Sequence, residues 1–276
     1  MPYHPGKSLV SAGAALLAVL LVSGCRSLPP ETGTGAYTAP LPRDAVVAAS
    51  GDAEQIRSHL TEQLSRLYGK KIASIMERSR QINFSLFADG GSELLVEGDF
   101  PRFRTSLALG VSRNWTLTGR NPDTWTYEDG RAKVSLLGRG RLVFSSLGTD
   151  RIVKAWEERH ENGMVRSSSL AIFIPEMKNL SSGLPLGGEC RIVGYWTEGE
   201  LELSFLWRFE DPRRARTALP LVKLLLWGFM KGLDPDFDRR TLSSRLDGAE
   251  VEIRGIRLSP GEIELLLHEH VDLRGM

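Results

Sequence analysis

Side chains able to do chemistry are sparse in this 276-residue chain. Four of its five His follow residue 25: His59, His160, His268 and His270. None lies in H-E-x-x-H, and the chain also lacks C-x-x-C, G-x-S-x-G and G-x-x-x-x-G-K. The common signatures of zinc hydrolysis, redox exchange, acyl transfer and nucleotide binding are therefore missing. His268 and His270 share one parity of a strand, but two ligands with no third beside them read as a solvated edge. Asp234-Pro235-Asp236-Phe237-Asp238 places acids at positions 1, 3 and 5 of a calcium-type loop. That loop needs Gly at position 6 and a bidentate Glu at position 12, where this chain has Arg239 and Arg245, so the segment is expected to be a polar loop ending a helix. No metal, no cofactor and no catalytic residue is expected.

Two thiols remain, Cys25 and Cys190. Cys25 follows a basic start with Lys7, an apolar run from Leu9 to Val22, and the small residues Ser23 and Gly24. The run is about 14 residues, short of the roughly 20 that a helix needs to cross a bilayer, and it has the layout of a secretory signal. The tetrad Val22-Ser23-Gly24-Cys25 resembles the lipobox of bacterial lipoproteins. That resemblance implies cleavage after residue 24 and acylation of Cys25. Two or three acyl chains would hold the protein on a membrane, because each buried methylene contributes about 0.8 kcal/mol and one chain alone is marginal. Cys190 would then have no partner, and is expected to serve as a small apolar residue in a strand.

Residues 26–50, rich in Pro, Gly, Ala and Thr, read as a spacer with an end-to-end distance of roughly 25 to 30 Å. Lys plus Arg total 35 against 34 acids, and loss of Lys7 with the signal brings the formal charge from +1 to 0. Nucleic acid is not an expected partner, because no surplus of positive charge is present to neutralise phosphates.

The elements beyond the spacer predict an α+β fold of antiparallel sheets packed by amphipathic helices. A helix is expected from about Ala53 to Arg78, with Ile56, Leu60, Leu64, Leu67, Ile72, Ile75 and Met76 on one stripe and Gly69 as a point of kinking. Residues 51–146 hold this helix and a first ββαββ unit. Its elements are a hairpin at 82–97 around Asp89-Gly90-Gly91, a helix at about 101–113 and a hairpin at 132–145. Residues 147–187 form a connection with a helix at Asp150 to Arg159 and a strand at Leu170 to Ile174. Residues 188–276 form a second, similar unit: a hairpin with Cys190, Ile192 and Trp196 on one parity facing Leu201, Leu203, Phe205 and Trp207, then a helix over 212–232, then a hairpin pairing Glu250–Ile256 with Glu262–His268. Asp211-Pro212 supplies a cap and a first-turn Pro. The pattern suggests an internal duplication.

The most apolar stretch after the signal is Ala218 to Leu233, ALPLVKLLLWGFMKGL, with Arg213, Arg214 and Arg216 before it. At about 18 Å its apolar part is too short to span a bilayer. Two roles fit. Leu221, Leu224, Leu225, Trp227 and Phe229 can enter a lipid interface while cationic side chains reach phosphate, or the helix can be a buried central one, apolar nearly all round.

With its lipobox, Pro-rich spacer and cysteine-poor α+β body bearing amphipathic helices, the chain resembles spirochaetal, especially treponemal, outer-membrane-associated lipoproteins. The resemblance is one of layout. It implies a non-catalytic protein of a bacterial envelope, anchored through Cys25, facing the periplasm from the outer membrane, and affecting envelope integrity or permeability through helices that meet lipid. Arg26 is compatible with that location, since it is not the Asp that retains many lipoproteins in the inner membrane. Two other roles are open: a carrier that holds an apolar ligand between sheet and helices, and a scaffold for another envelope protein.

Overall fold

The computed structural model describes residues 45–89, 91–120, 122–128, 130, 132–137, 140–146, 170–177 and 187–270, without the side chains of 61, 64–74 and 266–270. Residues 1–44, the expected helix at 150–159 and His160 lie outside the described residues, as do the side chains of Leu64, Leu67, Ile72, His268 and His270.

In chain order the elements are β1 (Ala45–Asp52), α1 (Ala53–Arg78), β2 (Ser79–Phe87), β3 (Ser92–Gly98), α2 (Arg102–Gly110), β4 (Trp115–Arg120), β5 (Asp123–Tyr127), β6 (Lys133–Leu136), β7 (Arg141–Ser145), β8 (Leu170–Ile174), β9 (Glu189–Thr197), β10 (Glu200–Arg208), α3 (Pro212–Leu233), β11 (Ser243–Asp247), β12 (Glu250–Leu258) and α4 (Pro260–His270). All twelve strands pair antiparallel in one sheet, ordered β11-β12-β10-β9-β8-β1-β2-β3-β7-β6-β5-β4. The α+β class expected from the sequence holds.

Counting outward from the β8–β1 junction, the order is β9-β10-β12-β11 on one side and β2-β3-β7-β6 on the other. Each side is a hairpin, a helix and a second hairpin whose later strand docks on the first. The recurrence is one of strand order. Among the described residues the β4–β5 hairpin occurs in one half only.

Local chemistry sets the helix bounds. The Asp52 carboxylate accepts from the backbone N–H groups of Glu54 and Gln55 at 2.8 and 3.3 Å, opening α1. Asp211 does the same for Arg213 and Arg214 at 2.8 and 2.9 Å, with Pro212 next to it at the start of α3. α1 packs on β1 and β2, α3 packs on β12, and α4 touches both helices. Beneath them lies one apolar core, drawing Ile56 and Leu60 from α1, Val222, Leu226 and Met230 from α3, Ile263 from α4, and alternate residues of the strands. On β9 and β10 the alternation is the expected one: Cys190, Ile192, Trp196, Leu201, Leu203, Phe205 and Trp207 are buried. Gly194 leaves room for this layer, since a Cβ there would lie 2.4 Å from Leu170 Cδ2 and 3.0 Å from Leu203 Cδ2.

Two expectations are corrected. Ala45–Asp52 is not the end of a spacer but β1, a strand at the middle of the sheet. Its small residues Ala45, Ala48, Ala49 and Ser50 are buried on both faces, so it shows no apolar–polar alternation. The second unit does not close with a strand at Glu262–His268. That segment is α4, and β12 pairs with Ser243–Asp247 as β11. Ser259 and Glu262 form a reciprocal cap, the Ser259 N–H donating to the Glu262 carboxylate at 2.7 Å and the Glu262 N–H to Ser259 Oγ at 3.3 Å, with Pro260 in the first turn. Ser-Pro-Gly here opens a helix instead of turning a hairpin.

Candidate functional site

The five apolar residues of α3 singled out from the sequence separate in the structure. The inner side of the helix is Ala215, Ala218, Val222, Leu226 and Met230, all buried. Leu221, Trp227 and Phe229 are half-buried and pack against the core from the flanks. Leu224 and Leu225 are exposed, at 47% and 37%. α3 is thus a core helix by one side and an apolar surface by the other. Pro220, Gly228 and Gly232 also lie on exposed positions, and Arg213, Arg214 and Arg216 are exposed at its start. Among the described residues no helix is long and apolar enough to cross a membrane.

α2 carries a larger exposed face that the sequence reading passed over. It has no buried residue, and Phe103, Leu107 and Val111 are exposed at 78%, 53% and 71%. Their spacing of four puts them in one line along the helix and its C-cap. Leu117 on β4, against which α2 packs, is exposed as well. The i, i+4, i+8 pattern was visible in the sequence; which side of it would meet the sheet was not.

The described residues hold no cluster of three metal-ligating side chains. The acids of the 234–238 loop turn onto their own backbone. Asp234 accepts the Asp236 N–H and Asp238 the Arg240 N–H, each at 2.9 Å. Positions 268 and 270 are helical, which separates them by roughly 200° around the axis instead of placing them side by side. Cys190 is buried, and burial, aided by the charge of Glu189, pushes its thiol up to about 12, so it stays an un-ionised thiol. His59 of α1 stacks on Trp196 of β9, ring centroids 4.2 Å apart and planes within 9°. Burial lowers its pKa.

The sheet face away from α1 also departs from an ordinary apolar layer. Across β1, β2, β3, β7, β6 and β5, one register row reads Ser50, Asn83, Leu95, Val143, Ser135 and Thr124. Ser50 accepts from Gln81 Nε2 at 3.0 Å, and Thr124 and Ser135 share a hydrogen bond of 2.8 Å. Asn83 is 2% exposed, and neither atom of its amide has a partner. No spacing signal in the sequence marks this row as buried, since its polar residues read as a solvated face.

No protein family and no curated protein matches the chain. Solved structures do. Crystal form III of TP0453, a treponemal protein, superposes with a TM-score of 0.57 over 83% of this chain and 96% of that one, at 14% identity. The chain shares the fold of TP0453. Form I gives 0.56 over 86% and 99% at 12% identity, and form IV gives 0.55 over 81% and 92% at 16%. At these identities the likeness is one of fold.

Proposed function

We propose that this chain is a non-catalytic, lipid-anchored protein of a bacterial envelope, held by acyl chains on Cys25 and resting its folded body on membrane lipid, with an effect on envelope integrity or permeability. The observation that carries the reading is the two-sided character of α3. Ala215, Ala218, Val222, Leu226 and Met230 dock it, yet Leu224 and Leu225 stay in water beside the half-buried Trp227, with arginines at one end of the helix and Lys231 at the other. Apolar side chains in that setting lose contact with water when the helix lies in a headgroup layer, while the cations reach phosphate. The order of signal, Val22-Ser23-Gly24-Cys25 and spacer supports the anchor, and the fold shared with a treponemal protein is in keeping with it.

The test uses the chain from residue 26, which contains every described element and lacks the acyl site. It should co-sediment with phospholipid vesicles and shift its Trp emission to the blue. Leu224→Asp with Leu225→Asp should weaken binding by about tenfold or more, because two exposed leucines then contribute nothing to insertion, and should leave the unfolding midpoint near that of the parent. A body that binds no vesicle of any composition would remove the lipid-contact role.

A further inference from the structure

We infer that α2 and β4 form a second membrane contact, one selective for anionic phospholipid; this rests on the lipid-contact reading above and assigns it a surface that reading did not include.

The argument starts from why α2 is a helix. Nine residues are too few for a helix to be stable alone in water, and such helices ordinarily owe their stability to an apolar face buried against the rest of the chain. α2 buries no residue fully, and its one apolar contact with the core is the half-buried Leu109. Its N-cap is Pro101, which makes no side-chain hydrogen bond, and its first turn holds no acid. Arg102 and Arg104 stand there instead, at the end where the helix dipole disfavours cations. Arg102 is answered by Asp123, its Nη2 donating to Oδ2 at 2.8 Å. What α2 also possesses is an exposed apolar line, Phe103, Leu107 and Val111, and Leu117 is exposed on β4, the strand against which α2 packs.

Charge decides the occupant. Residues 99–120 contain Arg102, Arg104, Arg113 and Arg120 against one acid, Asp99, in a chain whose cations and anions otherwise nearly cancel. Arg104, Arg113 and Arg120 are exposed. An apolar line fringed by arginines fits the boundary of an anionic bilayer, where Phe and Leu enter the acyl region and each guanidinium is drawn to the anionic headgroups. Trp115, two residues before Leu117 on β4, is half-buried against the core and edge-on to Tyr127 at 5.2 Å, an amphipathic ring of the kind found at headgroup level.

Because Phe103, Leu107 and Gly110 are exposed and Leu109 makes the contact with the core, the outer face of α2 can be changed without unfolding the body, in both directions. A Cβ at Gly110 meets nothing within 4 Å, so Gly110→Leu enlarges the apolar line. The experiment measures co-sedimentation of the chain from residue 26 with two vesicles, phosphatidylcholine alone and phosphatidylcholine with an equal part of phosphatidylglycerol, with thermal unfolding as the check on folding. Phe103→Asp with Leu107→Asp should lower association with the mixed vesicles about tenfold or more, and Gly110→Leu should raise it several-fold. Arg104→Gln with Arg113→Gln should lower binding to the mixed vesicles and leave binding to phosphatidylcholine as it was.

If the Asp and Leu variants at 103, 107 and 110 bind both vesicles as the parent does, the inference is overturned. Should Leu224→Asp with Leu225→Asp still weaken binding in that case, the lipid-contact reading survives without it. A parent body that binds neither vesicle removes both. Patch variants that lose a crosslink to another envelope protein while keeping full vesicle binding would assign the surface to a protein partner, and that too overturns the inference.

Discussion

His59 is the one described histidine whose surroundings set its charge, because it lies flat on Trp196 where α1 meets β9. Burial lowers its pKa in the folded chain below the ordinary 6.5 that applies when unfolded. The unfolded chain therefore binds the proton more readily, and the stability this neutral ring contributes is fully present above pH 6.5 and lost as pH falls through the lowered folded value. His59→Phe keeps a flat ring on Trp196 and cannot titrate. Urea midpoints measured on either side of the ordinary His range should show the parent losing more stability toward acid than the variant. Parallel slopes would mean that His59 is not desolvated by this stack. The sequence does not reveal the pairing, since residues 59 and 196 lie on elements that only the sheet brings together. Asn83 is similar: a polar residue in an alternating strand reads as facing water, and its burial depends on what lies over the opposite face.

At the scale of elements, legibility follows how local the cause is. α1 was readable from its apolar stripe, and the start of α3 because Asp211-Pro212 acts within its own first turn. β9 and β10 were readable because one face is apolar and the other only half-covered, so the two-residue period survives. β1 was not, since burial on both faces selects small residues and erases the period. α4 carried a legible start in Ser259-x-x-Glu262, but the adjacent Pro-Gly also matches a hairpin turn, and here the reciprocal cap wins. For the candidate contacts, the apolar content of α3 was legible and its division into a docked side and a wet side was not, because that division is made by β12 and α4. Two helix-weakening residues, Pro220 and Gly228, stand on the wet side of α3, where packing does not require them. Nothing lies within 4 Å of a Cβ built at Gly228. Gly228→Ala should therefore stabilise the protein by about 1 kcal/mol, read as a Tm higher by roughly 2 to 4 °C; a lower Tm would show that the position tolerates only Gly.

Across the whole molecule, one sheet sets the distance between the two surfaces proposed to meet lipid. α3 packs on β12, next to one end strand, while α2 packs on β4, the other end strand. At the usual strand spacing these ends are up to about 50 Å apart along the sheet. Where both engage one bilayer, such contacts hold a body to it more firmly than either alone, since the second engages at the effective concentration set by the first. Acyl chains at Cys25 would act in the same way, keeping the body within reach of the bilayer so that weak insertion by Leu224, Leu225 or Phe103 is sufficient. The anchor is thus the premise of the whole account, and mass spectrometry tests it most directly. The N-terminal peptide of the protein extracted in detergent from its own cells should begin at Cys25 and carry the mass of two or three fatty acyl groups. A peptide with a free thiol at Cys25, or one that begins elsewhere, would contradict it.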